Sequence, residues 1–225
     1  QLPEIIRKRK PPYQLTDRQI FRLADEQKRR IDLRAKIKSI LVIRPDAIGD
    51  LVLTLPAIQS LKENFPEAKI TVLAREYTAP LLKNHPAVDA IIYDYDFKKY
   101  NFDLSVNFHN QFKDTWATFK AGIPYRIGDS SRILTAGMNN FRVFRNWNDR
   151  HLHEVEQNMA LLKPLGITAP AGKPLVVPDP ASLSNVDALF EKSGNPILQY
   201  GVLQYLRLAG LHCGSSTSKA WPPEN

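Results

Sequence analysis

Asp46, Gly49 and Asp50 are the residues of this chain best placed to do chemistry. They lie in the stretch Ile40 to Pro56, which reads ILVIRPDAIGDLVLTLP. Four consecutive apolar residues, Ile40 to Ile43, precede the turn. Leu51, Leu53, Leu55, Ile58 and Leu61 follow it at the spacing of a buried helix face. Strand, glycine turn and helix N-terminus together are the parts of an α/β ligand site, at the carboxyl end of a buried strand. The turn is acidic, and a helix dipole stabilises an ionised carboxylate at the helix start. The pattern therefore suits a carboxylate that takes up a proton better than it suits a phosphate cradle. Structural roles fit the same residues. Asp50 reads equally as a helix cap, Asp46 after Pro45 as a turn former, and Gly49 as a residue needed for positive φ.

A second candidate lies at the end of the chain, in His212 to Asn225 (HCGSSTSKAWPPEN). Backbone N–H groups, hydroxyls and Lys219 in one loop make an anion site. The glycine and lysine spacing is not that of a Walker A loop, and a plain Ser/Thr-rich loop has the same composition. Trp221 to Asn225 reads as the first turn of a helix that does not continue, so the chain is expected to be a truncated product. Cys213 fits a small buried thiol better than a nucleophile. His109 and Asn110 follow a predicted strand and either line a cleft or merely shape a loop. Arg126, Arg132, Arg142 and Arg145 either meet anionic groups of a ligand or are solvated. His151 and His153 have HxH spacing, but no third ligand lies nearby in sequence, so no metal site is expected.

The elements that must position these residues alternate. Strands are predicted at 40–43, 69–74 (KITVLA), 88–93 (VDAIIY) and 103–108 (DLSVNF), with a short one at 125–128. Helices are predicted after the first strand, over 77–84, over 112–121 and over 154–165. Near-continuous β-branched strands separated by helices imply a doubly wound parallel sheet covered on both faces. Residues 130–150, rich in Asn and Arg, read as a surface loop with a short helix. The Pro/Ala-rich segment 168–180 reads as a linker, with a helix over 182–192 and a weak strand over 206–212 beyond it.

The 225 residues suffice for one large domain, or one domain and part of another. No stretch approaches the roughly 20 apolar residues of a membrane span, and the N-terminal stretch lacks the apolar core of a secretory signal. One cysteine excludes an internal disulfide and fits a reducing compartment. The net charge is +8, and residues 1–39 hold twelve Lys/Arg against five Asp/Glu, so nearly all the excess lies in one arm. A helix over 17–36, with Thr16 as N-cap, carries it. Such an arm serves an anionic partner, nucleic acid or an anionic membrane face, or is simply a solvated helix.

With both ends in view, the sequence resembles the ADP-heptose:lipopolysaccharide heptosyltransferases, glycosyltransferase family 9. Three motifs carry the resemblance: Asp46 to Asp50 (DAIGD) with Leu53 to Ala57 (LTLPA); Glu154 to Leu162 (EVEQNMALL) with Leu165 to Ile167; and Gly214 to Pro222 (GSSTSKAWP). Their order agrees with the family over roughly residues 39–225. The resemblance implies an α/β fold of GT-B type, a Rossmann-like doubly wound parallel sheet with the second domain truncated. The implied plan is a basic helical arm over 1–38, an acceptor domain over 39–167, a linker over 168–181 and the start of a donor domain over 182–225. It implies heptose transfer from ADP-heptose to a lipopolysaccharide inner-core acceptor, with inversion and without cofactor or essential metal. Asp50 would be the general base and Gly49 would permit close approach. Asp46, His109 and Asn110 would serve the acceptor, and Ser215, Thr217 and Lys219 the donor diphosphate. The expected setting is cytoplasmic, peripheral on an anionic membrane that carries the lipid A-core acceptor. Because most of the donor domain lies beyond Asn225 in that plan, this fragment alone is expected not to turn over. A catalytically inactive or truncated relative that binds an anionic glycan or membrane is the alternative. A nucleic-acid-binding role finds no known motif.

Overall fold

The computed structural model describes residues 33–131, 135, 137–145 and 152–192. The basic arm before residue 33 and the C-terminal loop with Cys213, Ser215, Thr217 and Lys219 lie outside the described residues, as do Arg132 and His151. The chain divides into two compact units, Gln1–Val177 and Pro178–Asn225.

In the first unit, β1 (Ser39–Ile43) is followed by the short α1 (Ile48–Val52) and by α2 (Leu55–Asn64). Then come β2 (Lys69–Leu73), β3 (Ala90–Ile92), β4 (Leu104–Asn107), α3 (Phe112–Lys120), β5 (Tyr125–Asp129), β6 (Phe141–Val143) and α4 (Glu154–Ala160). The six strands form one sheet in the order β3-β2-β1-β4-β5-β6, with every pairing parallel. Alternate residues of β1 feed opposite cores. Ile40 and Val42 pack with Leu55, Ile58 and Leu61 of α2 and with Leu161 and Leu162 after α4, whereas Leu41 and Ile43 pack with Phe97, Phe102 and Ile123. Both faces of β1 are thus covered, which is why its sequence shows no polar alternation.

Two local expectations are corrected. Residues 77–84 form only a 3₁₀ turn at Ala79–Leu81, and residues 141–143, expected in a loop, form the edge strand β6. β6 escapes a composition-based reading because it has three residues and one is Arg142. In the second unit, a helix α5 (Pro180–Lys192) starts at Asp179, whose carboxylate accepts from the N–H and Oγ of Ser182 at 2.8 and 2.9 Å.

The strand order changes direction between β1 and β4. In an open α/β sheet, that reversal opens a crevice beyond the carboxyl ends of the two strands. Residues 44–50 follow β1 and residues 108–111 follow β4, so the turn with Asp46, Gly49 and Asp50 and the pair His109 and Asn110 come to one place.

Candidate active site

The site is built around a cation that the sequence reading passed over. Arg44, the first residue after β1, has a buried side chain, 3% exposed. Its Nη1 donates to the Phe108 carbonyl after β4 at 2.8 Å, and its Nε donates to the Asp50 carbonyl at 3.2 Å. The same guanidinium meets three carboxylates. Asp46 Oδ1 lies 3.1 Å from Nε, Asp50 Oδ1 lies 3.3 Å from Nη2, and Glu154 Oε1, at the start of α4, accepts a short hydrogen bond from Nη2. The β1 loop is also fastened from the β2 side: Arg75 Nε donates to the Pro45 carbonyl at 2.7 Å and Tyr77 Oη to the Asp46 carbonyl at 3.0 Å.

These contacts decide between the roles left open for Asp50 and Gly49. The N-cap of α1 is Ala47, which makes no side-chain cap, and Asp50 sits inside the first turn. Asp50 is therefore not the cap. Arg44 holds one of its oxygens, and its side chain remains 37% exposed. Gly49 is not among the positive-φ glycines, so that role falls away. A Cβ placed on it would meet no atom of the described residues within 4 Å. Asp46 is more enclosed. Its Oδ1 has no hydrogen-bond partner among the described residues although Arg44 is close: the charges attract, but the N–H of Nε is directed to the Asp50 carbonyl. Burial pushes the Asp46 carboxyl above the usual carboxylate range, and the neighbouring Asp50 adds to this, while Arg44 and His109 pull it back.

His109 is fixed by Asp114 of α3, whose buried carboxylate takes His109 Nδ1 on one oxygen at 2.7 Å and the Tyr95 hydroxyl on the other at 2.8 Å. A proton on Nδ1 between ring and carboxylate leaves Nε2 available for other contacts. Burial and the Asp114 charge push the Tyr95 phenol up, so Tyr95 stays a donor. His109 and Lys113 belong to the wall of a cleft of about 780 Å³, together with Pro45, Arg75, Tyr77 and Tyr93. Asp46 and Asp50 are not in that wall; Asp46 adjoins it as the residue after Pro45 and lies near the charge of His109. Asn110 is brought to the same crevice, but its side chain is buried, with Nδ2 directed to Ser131 Oγ at 3.4 Å and Oδ1 accepting from Thr135 Oγ1 at 3.3 Å. Its φ of 52° is left-handed, a conformation that Asn tolerates, and Asn107 Oδ1 accepts the N–H groups of both His109 and Asn110 at 3.1 Å.

Arg126 of β5, Arg142 of β6 and Arg145 just beyond β6 hold structure together. Arg145 is buried, donating through Nε to Asp129 Oδ2 at 3.0 Å, through Nη1 to Asn158 Oδ1 at 3.3 Å and through Nη2 to the Phe108 carbonyl at 3.1 Å. Arg126 donates to the Ile123 and Met138 carbonyls, and Arg142 to the Asn139 carbonyl. His153 caps α4, its Nδ1 accepting the Val155 N–H at 3.3 Å, with Glu156 accepting the His153 N–H at 2.8 Å. Among the described residues no cluster of three or more His, Cys, Asp or Glu is arranged to hold a metal ion. Sequence reasoning missed Arg44, Glu154 and Asn158. Asn158 Nδ2 donates to the Leu53 carbonyl and to Thr54 Oγ1, tying α4 to the turn between α1 and α2.

Together the parallel sheet, its reversal point and the acid-bearing turn define one Rossmann-like half of a GT-B-type glycosyltransferase fold. Solved structures agree at the level of fold. A glycosyltransferase family 9 protein of Veillonella parvula superposes with a TM-score of 0.63 at 18% identity, over 70% of this chain and 50% of its own. The ADP-heptose lipopolysaccharide heptosyltransferase II of Escherichia coli gives 0.55 at 23% identity, over 68% and 50%. No family model matches the chain. Curated relatives do. Lipopolysaccharide heptosyltransferase 3 of Escherichia coli K12 is 30% identical over 53% of this chain and 40% of its own length, and a Haemophilus influenzae protein named as a glycosyltransferase is 29% identical over 70% and 47%. At modest identity the chain is thus similar to the lipopolysaccharide heptosyltransferases among its curated relatives, and its fold is that of solved glycosyltransferase family 9 structures. It spans less than half the length of these curated relatives.

Proposed function

We propose that this chain supplies the acceptor side of an inverting glycosyltransferase that moves heptose from ADP-heptose to a lipopolysaccharide inner-core acceptor. Asp50 is the general base. The observation that carries this reading is the carboxylate of Asp50, held on one side by the buried Arg44 and open on the other, at the reversal point of the sheet. A sugar hydroxyl is a weak nucleophile, so a positioned carboxylate must accept its proton as the new bond forms. The acceptor oxygen attacks the anomeric carbon from the face opposite the diphosphate. The bond from that carbon to the diphosphate oxygen breaks, ADP leaves, and the configuration inverts.

In this reading Asp46, Gly49 and His109 serve the acceptor. Gly49 leaves room beside the base, and Asp114 orients His109 toward the acceptor. Asn110 contributes by shaping the loop. Ser215, Thr217 and Lys219 bind the donor diphosphate, where N–H groups and an ammonium stabilise the charge gathering on the leaving group. A lipid-borne acceptor places the enzyme in peripheral contact with the inner face of a cytoplasmic membrane. The test is transfer from ADP-heptose to a Kdo–lipid A acceptor by the full-length protein and by its Asp50→Asn variant. Loss of about 10²–10⁴-fold in turnover with donor binding retained is expected for removal of a general base. Undiminished transfer by the variant would remove Asp50 from that role. Acceptor binding without transfer by either protein would favour a glycan-binding relative.

A further inference from the structure

Helix α3 is amphipathic the wrong way round. Its buried face is polar: Asp114 holds His109 and Tyr95, Thr115 Oγ1 accepts from Asn107 Nδ2 at 3.0 Å, and Thr118 Oγ1 donates to the Thr115 carbonyl at 2.8 Å. Its exposed face is aromatic. Phe112, Trp116 and Phe119 are 48, 46 and 46% exposed. Spaced four and three residues apart, they form one continuous stripe, with ring centroids 6.1 Å apart for Phe112–Trp116 and 6.0 Å for Trp116–Phe119. Nothing in the fold of the first unit requires three large aromatic residues there, because α3 is fastened to the sheet by its hydrogen-bonded polar face.

The stripe has cationic company. Lys113 and Lys120 flank it on the same helix, and the Arg126 guanidinium lies over the Phe119 ring at 5.5 Å. Beside it runs a groove of about 390 Å³ whose lining includes Lys98, Lys113, Lys120 and Trp116, with Asp96 as its acid. Three ammonium groups and an indole thus share one concavity. Tryptophan favours the boundary between headgroups and acyl chains, and nearby lysines gain from the negative surface potential of anionic lipid. A protein partner would need to bury the stripe against an apolar complement of its own; a bilayer surface offers apolar depth and anionic charge together.

We propose that the aromatic face of α3 docks on an anionic lipid bilayer, with Phe112, Trp116 and Phe119 entering the headgroup boundary and Lys98, Lys113 and Lys120 meeting lipid phosphates. Lys113 also belongs to the wall of the larger cleft, so docking there would bring that cleft to the membrane surface. The inference rests on the proposed lipid-borne acceptor for its purpose, but it is tested without turnover.

The experiment is co-sedimentation of the full-length protein with phosphatidylcholine vesicles, with and without about 30% phosphatidylglycerol, a mole fraction that gives a strong surface potential. The wild type is compared with the triple variant Phe112→Ser, Trp116→Ser, Phe119→Ser. The expected result is binding of the wild type to the anionic vesicles, weakened by salt, and a loss of about tenfold or more in the variant with an unchanged thermal midpoint. Equal binding by both proteins would overturn the proposal and assign lipid contact to another part, such as the basic arm. Absence of wild-type binding would overturn it as well. A fall in oligomeric size, or a thermal midpoint lowered by several degrees, would show that a second copy or the rest of the chain covers the face, and would overturn it too. Sugar transfer to a soluble, delipidated acceptor is measured in parallel. A variant that transfers normally there but fails to bind vesicles supports docking, whereas absence of transfer in both proteins speaks against the proposed reaction and not against docking.

Discussion

Replacing Arg44 with Met removes the cation around which the crevice is organised. At an effective dielectric of about 20, each of its three carboxylate contacts would be worth about 4 kcal/mol. Little of that survives as net stability. The partners expose 19, 37 and 29% of their side chains to screening water, and burying the guanidinium costs several kcal/mol. Deletion is costly for a different reason: it strands Asp46, Asp50 and Glu154 near one another and leaves the Phe108 carbonyl with one donor fewer. Breaking a buried pair in this way costs about 3–5 kcal/mol. For a chain of this size, each kcal/mol lowers the melting point by about 2–4 °C, which predicts a drop of about 6–20 °C.

Thermal and denaturant unfolding at about pH 7 and about pH 4 would read this. The Arg44 charge opposes the burial that raises Asp46, so without it Asp46 moves further up. A folded-state carboxyl raised above its unfolded value binds protons on folding, so the deficit of the variant should shrink as pH falls. A packing defect alone would leave the deficit independent of pH. A double-mutant cycle with Glu154→Gln should show coupling of about 1 kcal/mol or more between two residues 110 positions apart. An Arg44→Met protein within about 1 kcal/mol of wild type, or effects that add within about 0.5 kcal/mol, would refute the view of Arg44 as the organising cation.

Other residues give sharper tests of single terms. Asp46→Asn should stabilise the fold at about pH 7. The wild-type carboxyl is raised above its ordinary value of 3.8, so its cost is absent below that pH and grows as pH rises through the folded-state value; the variant's advantage in melting temperature should vanish in acid. His85 is buried, its Nδ1 accepting the Ala87 N–H at 3.2 Å while Nε2 has no partner among the described residues. Burial holds its pKa below 6.5, so the stability tied to the neutral ring is fully present above that pH and lost as pH falls through the folded-state value; the slope of melting temperature against pH should flatten in His85→Gln. A methyl on Gly128 would overlap the buried Asn139 carboxamide, so Gly128→Ala should cost about 1–3 kcal/mol in denaturant unfolding, and Asn139→Ala should relieve most of it.

The sheet was legible in the sequence because β1 and β2 are nearly pure β-branched and aliphatic runs, a composition that strands buried on both faces need. β6 was not, because a three-residue edge strand has too little burial to leave a pattern. Asp46, Gly49 and Asp50 were legible because turn and acids are adjacent in the chain. Arg44 stands in the same stretch, yet its role depends on Phe108 and Glu154, which only the fold brings near. One signal was available: Arg44, Asp129 and Arg145 stand at or just past the ends of β1, β5 and β6, and charged residues at the ends of buried strands must find partners or remain costly. Arg145, read as a ligand contact or a solvated group, is the partner of Asp129, whereas Arg126 and Arg142 bond backbone carbonyls.

The charge of this crevice also bears on which half of a transfer reaction it serves. Many parallel sheets of this order place phosphate at a glycine turn and a helix N-terminus. Here three guanidiniums, Arg44, Arg145 and Arg75, meet four carboxylates, Asp46, Asp50, Glu154 and Asp129, so these side chains keep a small net negative charge. Each unit of that charge about 6 Å from a bound phosphate would cost about 3 kcal/mol at an effective dielectric of 20. A hydroxyl meets no such penalty. The same turn would thus repel a diphosphate, in keeping with the proposal that the donor phosphates bind elsewhere.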